Sequence, residues 1–257
     1  MISLLPSTRS WFEPYDISVN QQRDIKPLLQ SLLVMAWMVE ARDPYTGGHL
    51  WRVSQYCRLL AESLGLSKSE VARITLGGFL HDLGKIGVSD LILKKPGRLN
   101  LEEYEAIQNH LNTICDAFDA MTSTRPYRQN MPPEQALKII KNNLHTQFDG
   151  NFGHIFIDLG YSGRLNTIFG HTDQGIPIQN CLTCGPVIVV TRNQKSGDYL
   201  YCPVCHAEAV LERKKREIAI HPSGRKGSVK SIQPKADLDL IGEFVATSAA
   251  ALALYQT

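Results

Sequence analysis

The chain has little net charge, formally +2 from 27 Lys and Arg against 25 Asp and Glu. That excess is too small to argue for nucleic acid or a membrane surface as partner. It has no apolar run approaching the ~18 residues of a membrane-spanning helix. Its first residues, Met-Ile-Ser-Leu-Leu-Pro-Ser-Thr-Arg, lack the basic region and long apolar stretch of a secretory signal. No tandem repeat occurs, although the word Leu-Asn-Thr-Ile stands at both 111 and 165. Nor is there the spacing of a disulfide framework: of six cysteines four form two C-x-x-C pairs, and Cys57 and Cys115 lie inside helical patterns. Together these absences describe a protein of the reducing cytoplasm.

At 257 residues, 43% hydrophobic and 20% charged, the chain can build one sizeable core and a small satellite. Residues 1–23 mix Pro, Ser, Asn and Gln with Trp11, Phe12 and Tyr15 and read as an arm. From Asp24 the apolar spacing Ile25, Leu28, Leu29, Leu32, Leu33, Ala36, Val39 predicts a buried helix that ends before Pro44. Gly47-Gly48 permits a turn, and His49 opens a second helix running to Gly65. Ser67 with Glu70 is a capping box for a third, which runs from about 68 into His81-Asp82. A helix from Asn100 to His110 and one from Pro132-Pro133 to Leu144 follow. The fold class is mainly α, a helical bundle over 24–157, with nothing that suggests a parallel sheet.

Glycines at 160, 163, 170 and 175 mark 158–177 as a linker. Cys181-Leu-Thr-Cys184 and Cys202-Pro-Val-Cys205 then stand 17 residues apart around the β-like run 187–191. Two such knuckles resemble a zinc ribbon, over 178–206, whose thiolates hold a tetrahedral Zn²⁺. A redox pair is the alternative. Residues 207–219 read as a charged helix, 221–235 as a basic linker, and 238–255 as an apolar docking helix.

The chemistry centres on Phe79-Leu80-His81-Asp82-Leu83-Gly84-Lys85. On a helix, His81 and Asp82 sit about 100° apart and Lys85 returns to their side, which suits a divalent first-row ion beside a phosphate oxygen. A surface Asp-Lys pair next to a core histidine is the plainer alternative. Around it stand Arg42-Asp43-Pro44-Tyr45-Thr46-Gly47-Gly48-His49-Leu50-Trp51-Arg52-Val53, Lys95-Pro96-Gly97-Arg98-Leu99-Asn100, Glu103, His110, Asp116-Ala117-Phe118-Asp119-Ala120-Met121, Arg125-Pro126-Tyr127-Arg128 and Thr146-Gln147-Phe148-Asp149. From about 28 to 152 these residues closely resemble the HD-GYP family, a branch of the HD phosphohydrolases whose members hydrolyse cyclic di-GMP.

The resemblance implies metal ligands at His49, His81, Asp82, His110 and Asp116, a catalytic lysine at Lys85, with Asp82 beside it in the catalytic pair, and substrate-phosphate contacts at Arg125, Arg128 and Lys85. It implies one or two ions of iron or manganese, with zinc held separately by Cys181, Cys184, Cys202 and Cys205. Asp119 is expected to orient neighbours, and Tyr45, where three-metal members carry glutamate, argues for two metals at most. The family's His-His-Glu and Gly-Tyr-Pro segment, roughly fifty residues, is absent between His110 and Asp116. On an unbroken helix those two positions would point about 120° apart, so a turn separates them or one is not a ligand. The expected activity is hydrolysis of a cyclic dinucleotide, most of all cyclic di-GMP, by in-line attack of activated water. The alternative is a non-catalytic domain that binds a nucleotide, or a protein partner through the ribbon or the C-terminal helix. Nucleic-acid binding by the ribbon and Arg213-Lys214-Lys215-Arg216 is disfavoured, because interleaved aromatics are missing.

Overall fold

The computed structural model describes residues 25–83, 114–125, 130–214, 217–228 and 230–253. Six helices come first: α1 (Lys26–Glu40), α2 (His49–Ser63), α3 (Lys68–Leu80), α4 (Ile114–Thr122), α5 (Pro133–Asn142) and α6 (Gly150–Tyr161). Their ends follow local chemistry. Ser67 and Glu70 close the capping box of α3 in both directions, and the Asp149 carboxylate accepts the Phe152 amide at 3.0 Å to start α6. Gly48, at φ +76°, turns the chain into α2. The arm 1–23, the helix expected at 100–110, and Lys85, His110 and Arg128 lie outside the described residues.

A 3₁₀ turn, Arg164–Thr167, leads to the hairpins β1 (His171–Asp173) with β2 (Ile176–Pro177) and β3 (Gln179–Cys181) with β4 (Gly185–Ile188). An antiparallel sheet follows in the order β5 (Tyr199–Tyr201), β6 (Ala207–Lys214), β7 (Glu217–Lys226), and helix α7 (Leu238–Ala253) closes the chain. Three expectations are corrected here. The charged helix at 207–219 is instead strands β6 and β7. Ala209 and Leu211 alternate inward on β6, and the charges meet partners across the ladder: His221 with Glu212 at 2.9 Å, Arg225 with Glu208 at 2.7 Å. The basic stretch from 221 continues β7 to Lys226 before the chain leaves the sheet. Residues 158–177 are no plain linker, since α6 runs to Tyr161 and 171–177 form a hairpin.

Two cores result. The larger takes Leu33, Leu50, Tyr56, Phe79, Phe118 and Phe156, all fully buried, with Tyr56 edge-on to Phe118 at 5.4 Å. Helix α7 completes it: Leu240, Ile241, Phe244 and Val245 pack there, and the Phe244 ring lies 5.0 Å from Phe79. Each such side chain contributes about 1.5–3 kcal/mol by leaving water. Among the described residues no helix is long and apolar enough to cross a membrane. The smaller core joins Ile176, Val187, Ile188, Val190, Leu200 and Leu211 to Cys181 and Cys202.

Candidate metal centres

Three helices deliver the first cluster. His49 is the first residue of α2, His81 caps the C-terminus of α3 with Asp82 beside it, and Asp116 lies in the first turn of α4. The Nε2 atoms of His49 and His81 are 3.3 Å apart. His49 Nε2 is 3.5 Å from both Asp82 Oδ2 and Asp116 Oδ1, and His81 Nε2 is 3.3 Å from Asp82 Oδ1 and 3.7 Å from Asp116 Oδ1. Ligands about 2.1 Å from one ion and 90–110° apart are separated by about 3.0–3.4 Å. The atoms of His49, His81 and Asp116 approach the spacing of ligands on one cation, while Asp82 reaches the two imidazoles through different carboxylate oxygens. Imidazoles with carboxylates suit a first-row divalent ion.

The opposite ring nitrogens explain the aim. His81 Nδ1 is 2.8 Å from the Gly78 carbonyl and His49 Nδ1 is 2.8 Å from Asp119 Oδ2. A carbonyl and a carboxylate can only accept, so both Nδ1 atoms carry hydrogen, and in the neutral imidazole each Nε2 turns a lone pair to the centre. Asp119 is itself gripped by the fork of Arg52, Nε to Oδ1 at 2.6 Å and Nη2 to Oδ2 at 3.0 Å. Burial alone would raise the Asp119 pKa, but Arg52 and His49 hold it below the usual carboxylate range. Burial opposes a charge on His49 too, yet Asp119, Asp82 and Asp116 raise it to about 9. A divalent ion thus competes with a proton for Nε2.

Arg52 was quoted in the sequence motif without a role, because its partner lies 67 positions away. It also donates to the carbonyls of Gly47 and His171, both at 3.0 Å. Arg125, expected at the substrate, pairs with Asp43 at 3.1 Å, and that pair must be exchanged before it can hold a phosphate. Glu40, fully buried at the end of α1, has its carboxyl pushed up to about 7 by desolvation. A cleft of about 1030 Å³, lined in part by Trp51, Arg58, His171, Arg192 and Phe244, includes none of the cluster's ligands in its wall.

The second cluster is Cys181, Cys184, Cys202 and Cys205, whose sulfurs all lie within 4.8 Å of one another, as the thiolates of a tetrahedral site do. Cys181 and Cys205 are 3.5 Å apart, near the ~3.8 Å edge of a tetrahedron with Zn–S bonds of about 2.3 Å. The two knuckles share a backbone device: the residue after each second cysteine is left-handed, Gly185 at φ +79° and His206 at φ +64°. The Cys205 amide points at Cys202 Sγ at 3.5 Å. A backbone hydrogen bond involving Ala207 helps bring the Cys205 thiol down to about 7, which favours the ligand form.

Residues 46–149, which include His49, His81, Asp82 and Asp116, match the family model described as HD domain. The chain is 32% identical to 3'3'-cGAMP-specific phosphodiesterase 3 of Vibrio cholerae over 44% of this chain and 35% of that protein. It is 34% identical to 3'3'-cGAMP-specific phosphodiesterase 2 of the same organism over 60% and 26%. To a cyclic di-GMP phosphodiesterase of Thermotoga maritima it is 28% identical over 45% of each. The chain thus spans less than half the length of these curated relatives.

Proposed function

We propose that this chain is a metal-dependent phosphodiesterase that hydrolyses a cyclic dinucleotide, cyclic di-GMP first, at the centre formed by His49, His81, Asp82 and Asp116. The convergence of His49, His81 and Asp116, with Asp82 against both imidazoles and each imidazole tied by its other nitrogen, carries the reading. The named activities of the relatives support the substrate class, and they put 3'3'-cGAMP beside cyclic di-GMP as the substrate to compare. Iron or manganese there would polarise a phosphoryl oxygen and activate water. His49, His81, Asp82 and Asp116 fix the position of that chemistry, with His110 as a further ligand. Lys85, Arg125 and Arg128 hold the phosphates by charge-assisted hydrogen bonds. The four-cysteine cluster is a structural zinc site.

A second reading, binding with little turnover, follows from the expected absence of the His-His-Glu and Gly-Tyr-Pro segment. If a second ion contributed ~4 kcal/mol in the transition state, its loss would slow turnover about a thousandfold. The test is hydrolysis of cyclic di-GMP and 3'3'-cGAMP in Mn²⁺ and in anaerobic Fe²⁺, beside calorimetric binding. Slow hydrolysis, abolished together with metal content in Asp82→Ala, is expected. Binding without any hydrolysis would favour the second reading, and neither activity would refute both.

A further inference from the structure

The turn 41–48, which delivers His49 to its place, is packed against the cysteine module. Tyr45 lies on the smaller core with Cys184, Val204 and Cys205. Gly47 is seated so closely that a Cβ there would meet Val189 Cγ2 at 2.5 Å. At Gly48 a Cβ would meet the Thr172 backbone at 2.8 Å. Arg52 then ties the parts together, since one guanidinium binds the Gly47 carbonyl of the turn, the His171 carbonyl of β1 and the Asp119 carboxylate behind His49. Val189 and Thr172 belong to the segment around the smaller core, so whatever orders that core also sets where the turn can sit. The smaller core is built directly around Cys181 and Cys202, so a metal on the cysteines would add to the folding free energy of the module.

We propose that the four-cysteine module is the outer wall of the His/Asp centre: docked on the 41–48 turn, it positions His49, so that zinc on the cysteines tightens divalent-ion binding by His49, His81, Asp82 and Asp116. The inference rests on reading both clusters as metal centres. Its test uses the full chain, with Mn²⁺ affinity by calorimetry, zinc by elemental analysis and helicity by circular dichroism. Gly47 is not in the left-handed region, so in Gly47→Ala the new methyl meets only Val189. The expected result is Mn²⁺ binding weakened by about tenfold or more, with zinc and helicity retained. Val189→Ala removes the obstructing methyl and leaves the nearest atoms at 4.0 Å, so Gly47→Ala/Val189→Ala regains near-parental Mn²⁺ affinity. Cys184→Ser should lose zinc and weaken Mn²⁺ binding while the helices remain.

Parental Mn²⁺ affinity in Gly47→Ala or in Cys184→Ser overturns the inference, as does a double variant no tighter than the single one. Should Gly47→Ala fail to fold, recovery of fold and affinity in the double variant supports the docking, and no recovery overturns it. A parent chain that binds no Mn²⁺ overturns the reading of the His/Asp cluster itself and this inference with it. A parent without zinc removes the cysteine site instead, while its Mn²⁺ binding would leave the His/Asp centre standing.

Discussion

Asp119 lies outside the converging group of His49, His81 and Asp116, yet it decides which nitrogen of His49 bears the proton. Asp119→Asn would halve the grip of Arg52 and let an amide NH₂ face Nδ1, which drives the proton to Nε2 and closes the lone pair to a cation. Mn²⁺ affinity should fall about 10–100-fold with the helices intact, read by calorimetry and circular dichroism. That His49, His81, Asp82 and Asp116 would lie together, with Asp119 beside them, was legible in the sequence because a family pattern quotes those residue types at those distances. Arg52 was not. Nothing within a helix's own spacing joins it to Asp119, and its two carbonyl partners belong to a turn and to a strand more than a hundred residues on. Arg125 shows the reverse: its type and place suggest a phosphate, but the fold supplies Asp43 as a competing partner.

Elements were read well where apolar spacing spoke alone and poorly where charge spacing did. Helices α1, α2 and α3 follow the expected runs to within a few residues because buried residues and caps agree. The run from Glu208 to Arg216 favours a helix by propensity, since Glu, Lys, Arg and Leu are all good helix formers. The edge of β5 and the apolar pair Ile218 and Ile220 offered those same residues a ladder and a core, and packing outweighed propensity. Helix α7 was legible as a docking helix, though not the place where it docks. That place fixes a prediction: Phe244→Ala leaves a cavity beside Phe79 and should cost about 3–5 kcal/mol. Urea unfolding followed by the helical signal should shift accordingly, while zinc content stays at its parental value.

At the scale of the whole molecule, the proposed linkage between the two candidate metal centres through the turn 41–48 must run both ways. If zinc raises the Mn²⁺ affinity by some factor, Mn²⁺ raises the zinc affinity by that same factor. Equilibrium competition with a zinc chelator should therefore show zinc held about tenfold more tightly when Mn²⁺ saturates the His/Asp centre, and equal zinc affinity with and without Mn²⁺ would refute the linkage. The path of the chain, helices, then ribbon, then back to the helices in α7, also has a consequence in time. At 5–20 residues per second, α7 leaves the ribosome about 8–30 seconds after α3. Through that interval the apolar faces of α1 and α3 wait uncovered for Leu240, Ile241 and Phe244, while the four cysteines are already complete at Cys205. The cysteine cluster is thus complete before the helix that closes the helical half has been made.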